Sequence, residues 1–229
     1  ADFSVAMPYS TKLPTGNRVA FSPTVSLGWN LANEKFLENS IFDNLMLTAS
    51  VGIINQDLDI TASDNEDGYY LYKTVVQKGG WYSWGDNGGL AATEFQRGNN
   101  PDMTYVKRKE FTAGLRGSMW SNLINFDINF FTSKMDGGLV RPGSLYPNYF
   151  TQIGYPSSSI IPYVNFNVDQ RTGFDFSVYA NKKVGEVDLT LGVSGMYYKS
   201  TAKKRDENIE FSYLSAVGRA LNGYWGLES

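Results

Sequence analysis

The residues most able to do chemistry fall within one polar stretch. Asp57, Asp59, Asp64, Glu66 and Asp67 form an acidic cluster. Oxygen ligands in such number suit Ca²⁺, but the spacing does not fit an EF-hand, whose glycine and terminal glutamate positions are unfilled. A solvated external loop is the simpler reading. The GDNGG run at 85–89 has the glycines of a phosphate-binding loop without its lysine or its strand-to-helix setting, so it reads as a plain turn. The sequence contains no histidine and no cysteine. The commonest general base and metal ligand are therefore missing, as are thiolates and disulfides. Nothing in the pattern sets a base beside a nucleophile. The expectation is a protein that is not an enzyme and has no cofactor and no metal site.

What remains is aromatic. Trp81, Tyr82 and Trp84 lie among glycines, and Tyr69, Tyr70 and Tyr72 come just before them. Such rings stack on sugar faces or anchor protein interfaces, where Trp and Tyr are enriched. These six residues are the candidate contacts with a substrate or partner. The rival reading is that they pack inward and order their own loop.

The elements that would position them are strands. At 110–136, EFTAGLRGSMWSNLINFDINFFTSKMD, Ile124, Phe126, Ile128 and Phe130 alternate with Asn125, Asp127 and Asn129. Successive strand side chains point to opposite faces, so one face is bulky and apolar and the other polar. The same alternation predicts antiparallel meander strands near 2–9, 19–29, 45–54, 104–119, 123–135, 171–182 and 187–199. Leu115, Phe126, Ile128, Phe176, Leu189 and Leu191 are expected to share one face. Pro23 hints at a missing ladder bond, and NEKFLENS at 33–40 suits one or two helical turns capped by Asn33. Arms of about ten residues match the roughly 9–11 that cross a bilayer at a tilt.

The connections are sorted. Compact ones at 30–44, 120–122 and 182–186 alternate with longer ones at 10–18, 55–103 and 137–169, and the tail begins at 200. In an up-and-down meander, alternate connections lie at one end of the sheet. One end is therefore trimmed and the other elaborated, as in outer-membrane barrels. No apolar run approaches a membrane helix, which does not bear on a barrel, because barrel strands hide their apolar residues at every second position. A formal net charge of −3 argues against nucleic acid as partner.

Several segments also resemble a family. RVAFSPTVSLGWNLANEKFL with FDNLMLTASVG, the long unit from NPDMTYVKRKEFTAGLRG to NFFTSKMDGGL, the GFDFSVYANKKVGEVDLTLGVS hairpin and the closing VGRALNGYWGLES are similar to the mid-barrel of SusC-like TonB-dependent outer-membrane transporters of Bacteroidota. The resemblance covers nearly the whole sequence except the two long loops. It implies a 22-stranded barrel, a plug domain, contact with TonB, a SusD-like surface lipoprotein and a glycan or peptide cargo. Seven strands are about a third of such a barrel. Residues 1–229 are thus expected to be one part of a single barrel domain, with the plug and remaining strands outside this sequence. The alternative is a soluble or surface-exposed β-sandwich binding module, such as an adhesin or carbohydrate-binding domain.

Overall fold

The structure, a computed structural model, describes residues 1–37, 40–58, 60–61, 70–85, 87–144 and 160–223. It is all-β. Among the described residues nine strands form: β1 (Asp2–Ala6), β2 (Ser22–Asn30), β3 (Phe42–Gln56), β4 (Val75–Trp84), β5 (Asn87–Arg97), β6 (Val106–Met119), β7 (Ile124–Val140), β8 (Val164–Val184) and β9 (Val187–Lys204). Seven of them make one antiparallel sheet in the order β1-β2-β3-β6-β7-β8-β9, and β4 and β5 pair separately. With β4–β5 set aside as an excursion, the sheet is an up-and-down meander consistent with a segment of a β-barrel.

The register confirms the expected two faces. Leu27, Ala49, Ala113, Phe130, Phe174 and Tyr197 lie side by side across six strands, and Trp29, Leu47, Leu115, Ile128, Phe176 and Gly195 form the next row. One residue over, Gly28, Thr48, Gly114, Asn129, Asp175 and Met196 form a row on the opposite face, and Asn30, Met46, Arg116, Asp127, Ser177 and Ser194 form another. No register shift interrupts β6–β7, so Asn125 and Ile128 lie on opposite faces.

Among the described residues nothing packs a core behind the apolar face. Leu191 is 81% exposed, Val193 63% and Ile128 45%. Its apolar rows stop at a polar line on which Ile53, Lys109, Lys134, Gln170 and Thr201 are neighbours. Ten residues of β8 separate Phe174 from Val184. At about 3.3 Å per residue and a tilt near 40°, they rise roughly 25 Å. The strands run well past this band: β8 has 21 residues and β9 has 18. Expected strand limits of 171–182 and 187–199 were therefore too short at the elaborated end.

Buried side chains gather instead in the connections at that end. Leu13, Ile60, Leu71, Met103 and Tyr105 form the core, with Ala20, Tyr72, Leu139 and Tyr163 packed against it. Polar side chains staple these loops to one another. The Asn17 side-chain amide donates to the Met103 carbonyl (3.0 Å) and that of Asn100 to the Tyr163 carbonyl (2.7 Å). Asn165 brackets Thr104, accepting from its N–H and donating to its carbonyl, both at 2.9 Å.

Three expectations are corrected. The connection at 55–103 is not one long loop, because it contains the β4–β5 hairpin. Glycine pairs at 79–80 and 88–89 interrupt the apolar alternation there and hid the strands. Val19 lies not in a continuous strand but in an isolated bridge with Tyr9, and β2 begins at Ser22. Pro23 marks that boundary: the β2–β3 ladder starts only at Thr24, and the Asn55 N–H goes to the Ser22 hydroxyl at 3.1 Å. The turns after β2 are two short 3-10 turns, Leu31–Asn33 and Lys35–Leu37, and the cap of the first is Asn30, whose side-chain oxygen accepts from the Ala32 N–H. Asn33 lies inside the first turn because the chain bends one step after the strand ends.

The trimmed end carries a testable strain. Trp120, Ser121 and Asn122 join β6 to β7 with φ of 56°, 55° and 60°, a left-handed run that costs L-residues about 1–2 kcal/mol each. The Asp43 carboxylate and the Ile41 carbonyl, accepting from the Asn122 and Trp120 N–H groups, hold it in place. Ser121→Gly should therefore raise stability by about 0.5–1 kcal/mol, since glycine adopts this φ without a Cβ clash. Urea unfolding of the purified protein in detergent checks this, and a loss would show that the run is not strained.

Candidate functional site

The polar face and the loop cap above it are the candidate site. On the face, the Arg116 guanidinium meets Asp127 at 2.6 and 2.7 Å through two nitrogens. Asn129 donates to Asp127 at 2.7 Å and to Asp175 at 3.0 Å. Thr48 donates to the Gly114 carbonyl at 3.3 Å. The lattice spans β3, β6, β7 and β8, so the face holds a fixed array of donors and acceptors. Strand alternation put these residues there, and Gly114 leaves room for them: a Cβ on it would lie 2.8 Å from the Thr48 hydroxyl.

Toward the elaborated end the face deepens into a groove of about 380 Å³. Arg108, Glu110, Ser133, Asp169, Arg171 and Tyr198 line it, with apolar walls from Phe131, Met135, Met196 and Leu221. Its charges are mostly matched. Arg108 pairs with Glu110 and donates to Ser133, and Arg205 pairs with Asp169. The tail after β9 folds back beside it, with the Ala202 N–H donating to the Arg219 carbonyl and the Gly218 N–H to the Ala202 carbonyl. The sequence reading missed this groove. Its signal was present in Glu110, Ser133 and Arg171, which share the polar parity of three paired strands, but the pairing itself comes from the fold.

The cap places some of the predicted aromatic residues. Tyr72 packs against the loop core. Its ring is 5.7 Å from that of Tyr70, and the Lys73 ammonium lies 4.8 Å from the Tyr70 ring and 5.9 Å from that of Tyr72. Arg97, 2% exposed, fixes this corner by donating to the carbonyls of Tyr70 and Lys73, each at 3.1 Å. Trp81, Tyr82 and Trp84 belong to β4, where they pair with Ala91, Leu90 and Asn87. Their side chains lie outside the described residues, as does all of Tyr69. Gly85, with φ of 62°, turns the chain between β4 and β5; GDNGG is thus not a plain turn throughout, because Asn87, Gly88 and Gly89 open β5.

Asp57 is engaged in the cap. It accepts from the Ser10 hydroxyl at 2.6 Å, and its carbonyl accepts from the Lys12 ammonium at 3.1 Å. Asp59, Asp64, Glu66 and Asp67 lie outside the described residues. Among the described residues no group of three acidic side chains converges on a metal position. Tyr105 seals the cap: burial, with the charge of Asp57 adding to it, raises its phenol pKa, so the hydroxyl stays protonated and donates to the Arg18 carbonyl at 2.6 Å.

This geometry defines a class: an antiparallel, up-and-down wall with an apolar band on one face, a polar lattice on the other and a cap of packed loops at one end. No protein-family model and no curated protein matches the chain. Solved structures do. The RagAB peptide importer in its closed-closed state is similar over 91% of this chain, with a TM-score of 0.66 and 20% identity. The open-open state gives 92%, 0.67 and 20%, and a further structure of the RagAB peptide transporter gives 89%, 0.64 and 19%. The match covers 20–21% of those chains, so this chain spans about a fifth of their length. At that identity the likeness establishes the fold.

Proposed function

We propose that this chain forms part of the wall of a SusC-like outer-membrane transporter that imports peptide or glycan fragments. The observation that carries the reading is the uncovered apolar band, which suits the hydrocarbon of a membrane rather than water. Roughly 25 Å is the height of the apolar band of outer-membrane barrels, and soluble proteins rarely expose continuous apolar surface on this scale. A β-sandwich module would need a second sheet over this face, and the described residues leave it bare. The polar face then lines the lumen, and the loop cap lies outside the cell. The likeness to a peptide importer supports a nutrient cargo, with peptide ahead of glycan.

Among the described residues β1 and most of β9 pair with a strand on one side only, and the rest of the barrel would complete those edges, because lipid cannot satisfy open backbone groups. The family resemblance adds the plug, TonB and a SusD-like lipoprotein that meets the cap. Outer-membrane fractionation of the intact protein, with heat-modifiable migration in detergent, tests the membrane reading. Free solubility with a cooperative melt in plain buffer would overturn it.

The aromatic set would meet the cargo or the lipoprotein from the cap side. Tyr70 and Tyr72 already order their own corner, so the contact falls to Trp81, Tyr82 and Trp84. Replacing Trp81 and Trp84 with alanine should weaken binding of cargo or lipoprotein by about 1–3 kcal/mol, the worth of burying a large side chain. Uptake, lipoprotein association and barrel abundance in the intact transporter are the measurements. Normal uptake and association at normal abundance would sink the contact, and a collapse in abundance would favour self-packing.

A further inference from the structure

Among the described residues the groove contains one cation that forms no ion pair. Arg108 is matched by Glu110 and Asp169 by Arg205. Arg171 is different: its guanidinium carbon lies 5.3 Å from the centre of the Tyr198 ring, and among the described residues no carboxylate pairs with it. A ring contact of this kind does not consume guanidinium N–H groups, which can grip a carboxylate with two hydrogen bonds. Beside it the walls are apolar, from Phe131, Met135 and Met196. The volume, about 380 Å³, falls within the range of small-ligand sites.

We propose that this groove is a carboxylate-binding subsite on the lumen wall, anchored by Arg171 on its Tyr198 platform and shaped for an apolar body next to the acid. The C-terminal residue of a peptide with an aliphatic side chain has that chemistry. The carboxylate of a sugar acid shares the anchor but brings a hydroxyl-rich ring to apolar walls. The inference rests on the reading of the polar face as a transporter lumen.

The test is equilibrium binding to the intact transporter in detergent, with uptake into proteoliposomes measured separately. The probes are N-acetyl-alanyl-alanyl-leucine as free acid, the same peptide as its C-terminal amide, and oligogalacturonate with its methyl ester. The free acid should bind about tenfold tighter than the amide, as expected for losing a charge-assisted pair. Arg171→Gln should erase that preference at unchanged heat-modifiable migration, and Arg171→Lys should keep part of it. An Arg171-dependent preference for oligogalacturonate over its ester, with none among the peptides, would keep the anchor and assign it to sugar acids. Equal binding of every acid and its neutral partner, or a preference that survives Arg171→Gln, overturns the subsite. If uptake persists in that case, the transporter reading stands. If the wild type neither binds nor imports any probe, the subsite is overturned and the transporter reading loses its cargo.

Discussion

Ile128→Arg should destabilise the membrane-inserted barrel by about 2–4 kcal/mol, while Asn129→Arg, one residue along, should cost no more than about 1 kcal/mol. Ile128 lies in the middle of the apolar row between Leu115 and Phe176 and is exposed. A guanidinium there would sit near the middle of the hydrocarbon, where no group of the sheet can solvate it. Asn129 points to the other face, between Asp127 and Asp175, and an arginine there would meet two carboxylates and water. Unfolding of both variants in liposomes decides the matter. Equal losses would mean that the two faces see similar surroundings, as in a soluble sandwich, and the membrane assignment would fall.

The second large effect concerns the open edge of β9. Ala202 directs both its N–H and its carbonyl away from β8, toward residues 218–219. The ladder is regular from Thr201 down to Val187, so the residues of the same parity, Ser194 among them, direct their backbone groups outward too. Val193 and its parity bond to β8. Proline is tolerated at an outward N–H of a true edge strand, but within a sheet it removes a ladder bond. If a further barrel strand pairs with β9, Ser194→Pro strands a carbonyl of that neighbour in hydrocarbon. The loss should be several kcal/mol, on the order of 3, and comparable with that of Val193→Pro. Folded yield and denaturant midpoint of the intact protein in lipid are the readouts. A Ser194→Pro protein close to wild type beside a crippled Val193→Pro protein would show that β9 is a free edge.

Much of this sheet was legible in the sequence because strand periodicity is a local property. Phe126 and Ile128 alternate with Asn125 and Asp127, and that alone assigns the two faces before any partner is known. The seven meander strands, their antiparallel order and the sorting of compact and elaborate connections all follow from such runs and the turns between them. The strand ends did not follow. At the start of β8 Val164, Phe166 and Val168 do alternate with Asn165, Asn167 and Asp169, but the run adjoins a Pro- and Ser-rich stretch and reads as loop, and in β7 Gly137 and Gly138 break the pattern. The β4–β5 hairpin was hidden for a related reason: its glycine pairs remove side chains at the positions where the pattern would show.

The sequence by itself determined that a two-faced antiparallel sheet with strands of membrane-crossing length would form. It also supplied the aromatic residues near the cap, but not that Tyr70 and Tyr72 would order its corner. Only the tertiary structure decided what shares a site. The loop core joins Leu13, Ile60, Leu71 and Met103 from connections far apart in the chain, and loop packing has no period. The groove joins Glu110, Ser133 and Arg171 because three strands align in one register. Register is a long-range match between strands, fixed by turn length and by the faces that must coincide. For that reason the pairing of Arg205 with Asp169 and the seat of Arg171 over Tyr198 emerge only once the sheet is assembled.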